Sequence, residues 1–347
     1  MDINQSSPRM PHYRNDHEIL GLQILKFLCA LLVVQIHFSS GIRSLVLPIA
    51  QMAVPIFFII TGYFLPDAYG NIEKERLKKT FFKILKLEII FTLIYLAYFL
   101  LTCLIHPHLF SVITRPQYWL KLLLIGGSGQ SGHLWYLMAL LQAILIILVA
   151  VRMKILKWLY WLIPLGIIMN LMFGNYNFLA DNTLPNRLVL SRNVLTTALP
   201  CLLIGTLIRY YEYRLPSQSR IMAMAFIGFL GIYIETYILE RFFPFKVGEI
   251  LIFTIPLATA VFIVFLRLTV KGGVGKRLAQ YGRVYSMDIY LWHMIVGSVI
   301  LLLLHRSGVL GTDTIDALIV IISTILFAVL LNRLRLRTHP IKKRRDN

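Results

Sequence analysis

Residues 20–41 read LGLQILKFLCALLVVQIHFSSG. The run is long and apolar enough to cross a bilayer as a helix, yet it carries Lys26 near one end and His37 near the other. Their separation, at about 100° and 1.5 Å per residue, returns to nearly the same helix face about 16 Å further on. Lys26, Ala30, Val33 and His37 therefore form one stripe. An ionisable group inside hydrocarbon costs at least roughly 2.5 kcal/mol, so such residues face a protein interior or a wet cavity. The stripe reads as the wall of a site. The plainer alternative has Lys26 snorkelling to the inner headgroups and His37 resting in the outer interface.

The rest of the chain is of the same kind. Of 347 residues 58% are hydrophobic and only 15% charged, and the mean hydropathy of +0.72 is far too high for a soluble protein of this length. The expected fold class is all-α, a polytopic integral membrane protein of about ten transmembrane helices. Apolar windows place the spans near 19–41, 45–65, 84–106, 133–151, 155–173, 193–211, 221–240, 249–267, 285–304 and 314–333. The formal charge of +19 would suggest nucleic acid in a soluble chain. Here, with both termini set in the cytoplasm, only Arg43, Arg115, Lys121, Arg187, Arg192, Arg241, Lys246 and Arg306 fall outside, which leaves 27 of the 35 Lys and Arg inside. The positive-inside rule thus accounts for most of the basic excess without nucleic acid. Residues 1–18 form an inner tail, 19–333 one membrane-embedded domain, and 334–347 a basic tail suited to anionic lipid. Cys29, Cys103 and Cys201 all lie in apolar runs and show neither a disulfide framework nor metal spacing. The first span has no small-residue cleavage site behind it and is expected to be retained.

Taken in order, the second span holds AVPIFFIITGYFL, in which Pro55 leaves a helix one hydrogen bond short and should bend it, while Gly62 admits another backbone. Next comes KERLKKTFFKILKLE. Arg76, Lys79, Lys83 and Lys86 recur every three or four residues, so an amphipathic helix would align them against anionic lipid or a polyphosphate. Glu88 is then a counter-ion for Lys86 or a site residue. YWLKLLLI suggests a short re-entrant or interfacial helix, and GSGQSG (127–132), which lacks the strand and acidic residue of a dinucleotide site, a flexible loop. His133 and Trp135 open the fourth span, and His133 lies at the depth of His37, where the two can meet across a bundle. The segment DNTLPNRLVLSRN offers Asp181, Arg187 and Arg192 to a polyol. Glu235 is an intramembrane carboxylate with no assignable partner. In YSMDIYLWH the residues Ser286, Tyr290 and His293 share one helix face.

Together these segments resemble the membrane acyltransferase 3 family, polytopic enzymes that acylate sugars and other extracytoplasmic hydroxyls. The likeness lies in LQILKFLCALLVVQIH, in PIFFIITGYFL (55–65), in the basic segment 74–86, in HLWYL (133–137) and in YSMDIYLWH (285–293), in order over most of the chain. It implies about ten helices, a histidine at the outer end of the first helix needed for catalysis, and acyl-CoA as co-substrate with no bound cofactor and no metal. The family's histidine falls on His37 and its arginine eleven positions earlier on Lys26. Its basic pair after the second helix best matches Lys83 and Lys86, with Arg76 and Lys79 competing, and Thr61 replaces its serine. Lysine lacks the planar fork with which arginine grips phosphate.

The implied chemistry is an O-acyl transfer, of acetyl or succinyl, from cytoplasmic acyl-CoA to a hydroxyl of an extracytoplasmic glycan or lipid-linked sugar at the cell (inner) membrane. His37 would act as general base or as covalent acyl carrier. The competing reading is an exporter of polysaccharide or lipid-linked sugar whose pathway the same stripe lines.

Overall fold

In the computed structural model, residues 19–38, 41–67, 71–127, 129–180, 187–243, 249–307 and 313–338 are described; the two tails and Asp181 lie outside them. No strand occurs among the described residues. Among the described residues eight helices are long and apolar enough to span a membrane: Leu20–His37 (α1), Arg43–Tyr63 (α2), Lys74–Ile105 (α3), Ser131–Arg152 (α4), Leu156–Phe173 (α5), Gln218–Phe242 (α7), Gly273–Arg306 (α9) and Asp313–Thr338 (α10). Two shorter apolar helices, Val194–Tyr210 (α6) and Thr254–Leu266 (α8), complete the order. Each of the ten corresponds to one apolar window of the sequence. The protein is an all-α polytopic membrane protein.

Pro55 has its effect one turn upstream. Its missing N–H is the donor that Gln51 O would otherwise receive, and α2 is interrupted there, between Arg43–Ala50 and Ala53–Tyr63. The basic segment is not a separate surface helix. Lys74–Ile105 contains neither Gly nor Pro, so nothing breaks it, and one helix of 32 residues carries the cations directly into the apolar span. YWLKLLLI does form a short helix, Pro116–Ile125. The glycine-rich segment expected to be a flexible loop instead winds, from Gly129, into a 3-10 turn, Gly129–Leu134, that makes the opening turn of α4.

Glu235 also departs from its sequence reading. It accepts the Ile252 and Phe253 N–H groups at 2.8 and 3.2 Å and a short bond from the Tyr176 hydroxyl. Those backbone donors precede α8, whose first turn has no intrahelical partners to offer them, so the carboxylate anchors one helix on another. Burial and the adjacent carboxylate raise the Tyr176 phenol above its usual range, which keeps it a donor.

α1 packs most closely on α9, α6 on α2, and α10 on α9, with α10 also touching α1. Two contacts are backbone to backbone. A Cβ added at Gly282 of α9 would lie 1.7 Å from Gln23 O of α1, and one at Gly62 of α2 would lie 1.9 Å from Leu202 O of α6. Without a hydrophobic drive between helices in lipid, such close approach through small residues is how they associate. It fixes the first helix, with Lys26 and His37, against the ninth, with Ser286, Tyr290 and His293.

Candidate active site

Three histidines from three helices converge. The ring of His37, at the end of α1, lies 5.1 Å from that of His293 on α9 and 6.3 Å from that of His133 on α4, and the last two are 4.9 Å apart. His293 is fully buried. Its Nδ1 lies 2.7 Å from Tyr290 O, and a carbonyl can only accept, so Nδ1 carries the proton and Nε2 is a bare acceptor. Among the described residues Nε2 of His293 has no hydrogen-bond partner. Unsatisfied buried groups cost roughly 1–3 kcal/mol each, and in native structures they mark places where something other than stability is served. Tyr95 closes the cluster from α3, its ring 4.8 Å from that of His133 and its hydroxyl donating to Leu291 O at 2.8 Å.

His37 faces a small cavity of about 40 Å³, lined also by Val33, Gln51, His133, Trp135, Asn170, Arg192, Thr197, Glu249 and Tyr290. Arg192 grips Glu249 with both arms of its fork, Nε to Oε2 at 3.1 Å and Nη2 to Oε1 at 2.7 Å. The Glu249 backbone is held in turn by Asn175, which accepts its N–H at 3.1 Å and donates to its carbonyl at 2.6 Å. Thr197 reaches the wall because α6 begins with a π-turn over Val194–Ala198, in which Ala198 N–H bonds to Asn193 O five residues back at 3.2 Å. Such turns recur at functional sites.

A second, larger cavity of about 590 Å³ lies around Lys26 and is cationic. Lys26, Lys83, Arg283 and Arg335 line it, with Asp288, which holds Arg335 by two contacts of 2.9 and 3.1 Å. Thr61 and Ser286 are in the same wall; their hydroxyls donate back to Phe57 O at 3.0 Å and Gly282 O at 2.6 Å. Tyr290 belongs to the walls of both cavities. Its phenol donates a short bond to His133 O, so the partition is tied to the histidine cluster.

The two ends of the Lys26–His37 stripe therefore face two adjoining cavities. Of the basic residues on α3 only Lys83 lines the cationic one; Lys79 and Lys86 are exposed elsewhere, and Arg76 donates to Pro66 O at 3.3 Å. Glu88 is buried, lines neither cavity and makes no ion pair with the exposed Lys86; it accepts from Thr92 Oγ1 at 3.3 Å. The side chain of Arg187, like Asp181, lies outside the described residues. Arg283, Arg335, Asn170 and Glu249 were not singled out from sequence. The first two sit in segments that read as the ordinary inner positive charge, the last two at span ends where polar residues are routine.

Fold and site together define a polytopic helical membrane protein with a histidine cluster set between a cationic cavity and a smaller polar one. The sequence profile of the acyltransferase 3 family, described as an acyltransferase domain, matches residues 19–333. The chain belongs to that family and is a membrane acyltransferase. No characterised protein and no solved structure matches it.

Proposed function

We propose that the protein moves an acyl group, acetyl or succinyl, from cytoplasmic acyl-CoA to a hydroxyl of an extracytoplasmic glycan or lipid-linked sugar, with His37 as general base. The observation that carries this reading is the pair of cavities sharing Tyr290, one ringed by Lys26, Lys83, Arg283 and Arg335 and the other by His37. A thioester donor brings several phosphates on its nucleotide end, which suits four cations, and a long pantetheine arm that can reach along α1. At the far end a neutral imidazole takes the acceptor O–H proton as that oxygen attacks the thioester carbonyl. The C–S bond then breaks, and the imidazolium returns its proton to the departing thiolate. A covalent acyl-His37 intermediate fits the same positions. The setting is the cell (inner) membrane with both termini cytoplasmic, supported by the distribution of Lys and Arg and by the basic start of α3, where Lys79 and Lys86 are free to meet anionic headgroups.

Purified protein in liposomes, given radiolabelled acetyl-CoA and a surface-glycan fraction, is expected to label the glycan and release CoA in equal amounts; glycan movement that needs no acyl-CoA would contradict the reading. On the donor side, Lys83→Ala and Arg283→Ala should each raise KM for acetyl-CoA about 3- to 10-fold with kcat nearly unchanged. That corresponds to roughly 0.5–1.5 kcal/mol for a charge contact at a half-open site. Initial rates over a range of acetyl-CoA concentration check this, and an unchanged KM in both variants would remove the cationic cavity from donor binding.

A further inference from the structure

His293 has the features of a residue that acts through its neighbour. It borders neither of the two cavities, so an occupant of either would not reach it. Its ring is fully buried, and the proton on Nδ1 is committed to Tyr290 O at 2.7 Å. That leaves Nε2 as a lone-pair acceptor with no partner among the described residues. A buried acceptor of this kind is costly unless some state of the protein brings it a donor. The ring of His37 stands 5.1 Å away, a spacing at which two imidazoles can share an N–H···N bond of about 3 Å.

Packing sets that spacing. Phe38, the neighbour of His37, lies across Gly297, and a Cβ added at Gly297 would come 2.0 Å from Phe38 Cζ. Gly297 is on the face of α9 that carries Tyr290 and His293, and the Phe38 and His293 rings meet edge to face at 6.4 Å. Ala30, Val34 and Phe38 cluster in turn with Ile289 of α9 and Val320 of α10. The end of α1 is thus pinned beside His293. His133, with its ring 4.9 Å from that of His293, is the rival donor.

We infer that His293 is the positioning residue for His37: one N–H of His37 donates to His293 Nε2, and the other nitrogen of His37 is held bare toward its cavity. Which imidazole nitrogen carries the proton is set by the hydrogen bond the other makes, so a fixed acceptor behind the ring fixes the tautomer. When the bare nitrogen takes the proton of the acceptor hydroxyl, the N–H facing His293 keeps its own proton, and its bond strengthens as the ring becomes cationic. Catalytic hydrogen bonds are often long before substrate binds and close in the complex. The inference rests on the acyl-transfer reading for its effect on rate, and not for the pairing itself.

The test uses full-length protein with ¹⁵N-labelled histidine in lipid nanodiscs at about pH 8, where an ordinary imidazole is neutral. CoA, which has no acyl group to transfer, is present throughout, and the His37 signals are those that vanish in His37→Gln. The wild type is expected to show one tautomer of His37, and His293→Leu a mixture. His293→Gln, whose Oε1 can accept near the place of Nε2, should restore the single form. In labelled transfer His293→Leu should lower kcat about 10- to 100-fold with KM for acetyl-CoA nearly unchanged, and His293→Gln should stay within about 5-fold of the wild type. Mixed tautomers in the wild type overturn the inference, and need no variant to fold. So does an unchanged tautomer in His293→Leu, a kcat no better in His293→Gln than in His293→Leu, or a mixture produced by His133→Leu but not by His293→Leu. A single tautomer that mixes in His293→Leu, in a wild type that transfers no acetyl group, would instead sink the acyl-transfer reading and leave the pairing standing.

Discussion

His37→Gln should lower the rate of acetyl transfer by about 10³-fold while the protein inserts and melts like the wild type. Positioned general bases contribute roughly 10²–10⁴ in rate, so losing the base costs about that factor. The fold has little stake in the ring. His37 is the last residue of α1 and faces a cavity, and the packing of α1 on α9 is carried by earlier residues of the helix, through Gln23 against Gly282 and through Phe27, Ala30 and Val34, which cluster with Ile289. Glutamine is close in length but has no basic nitrogen. The check is labelled transfer from acetyl-CoA beside a melting curve of the same preparation. A variant that keeps more than about a tenth of the rate would move the chemistry elsewhere, with His293 the nearest candidate at 5.1 Å. Omitting acceptor separates the two roles of His37. A covalent carrier would hold label on the wild-type protein and none on His37→Gln, whereas a general base leaves both unlabelled.

Gly282→Val is expected to lose both fold and function. The added Cβ would sit 1.7 Å from Gln23 O and 2.6 Å from Gln23 C. Both are backbone atoms, so no side chain can swing aside, and α1 must part from α9. Overpacking a tight interior costs typically about 1–3 kcal/mol, and a backbone clash belongs at the upper end or beyond. The consequence reaches the site because α1 carries Lys26 and His37 while α9 carries Tyr290 and His293. Transfer should fall below about a tenth of wild type even in molecules that remain inserted. Gly273→Ala, on the same helix with nothing within 4 Å of the added Cβ, is the control and should leave melting and rate unchanged. Equal behaviour of the two variants would mean that the Gly282 contact does not hold the site together.

The ten helices were legible because a span needs about twenty apolar residues whatever its neighbours do. The meeting of His37 with His133 was legible too, from equal depth in two spans. What sequence could not supply was rotation. Arg76, Lys79, Lys83 and Lys86 share a spacing, but only packing decides that Lys83 alone turns into the cationic cavity. Arg335 was hidden differently: α10 runs on to Thr338, so a residue that read as part of a solvated tail is drawn back onto Asp288. Glu235 seemed unpartnered because its donors are backbone N–H groups, which leave no trace in residue type. Asn170 and Glu249 come together from α5 and the segment before α8, a juxtaposition that neither stretch announces alone.

Vectorial transfer is the central claim, and proteoliposomes test it most directly. Labelled acetyl-CoA is supplied outside only, and methyl β-glucopyranoside is sealed inside. The expected result is labelled acetyl-glycoside in the lumen, with free CoA accumulating outside and none crossing, and no product when the liposomes carry His37→Gln. Product formed only when both substrates share one compartment, or formed equally by the variant, would contradict the account.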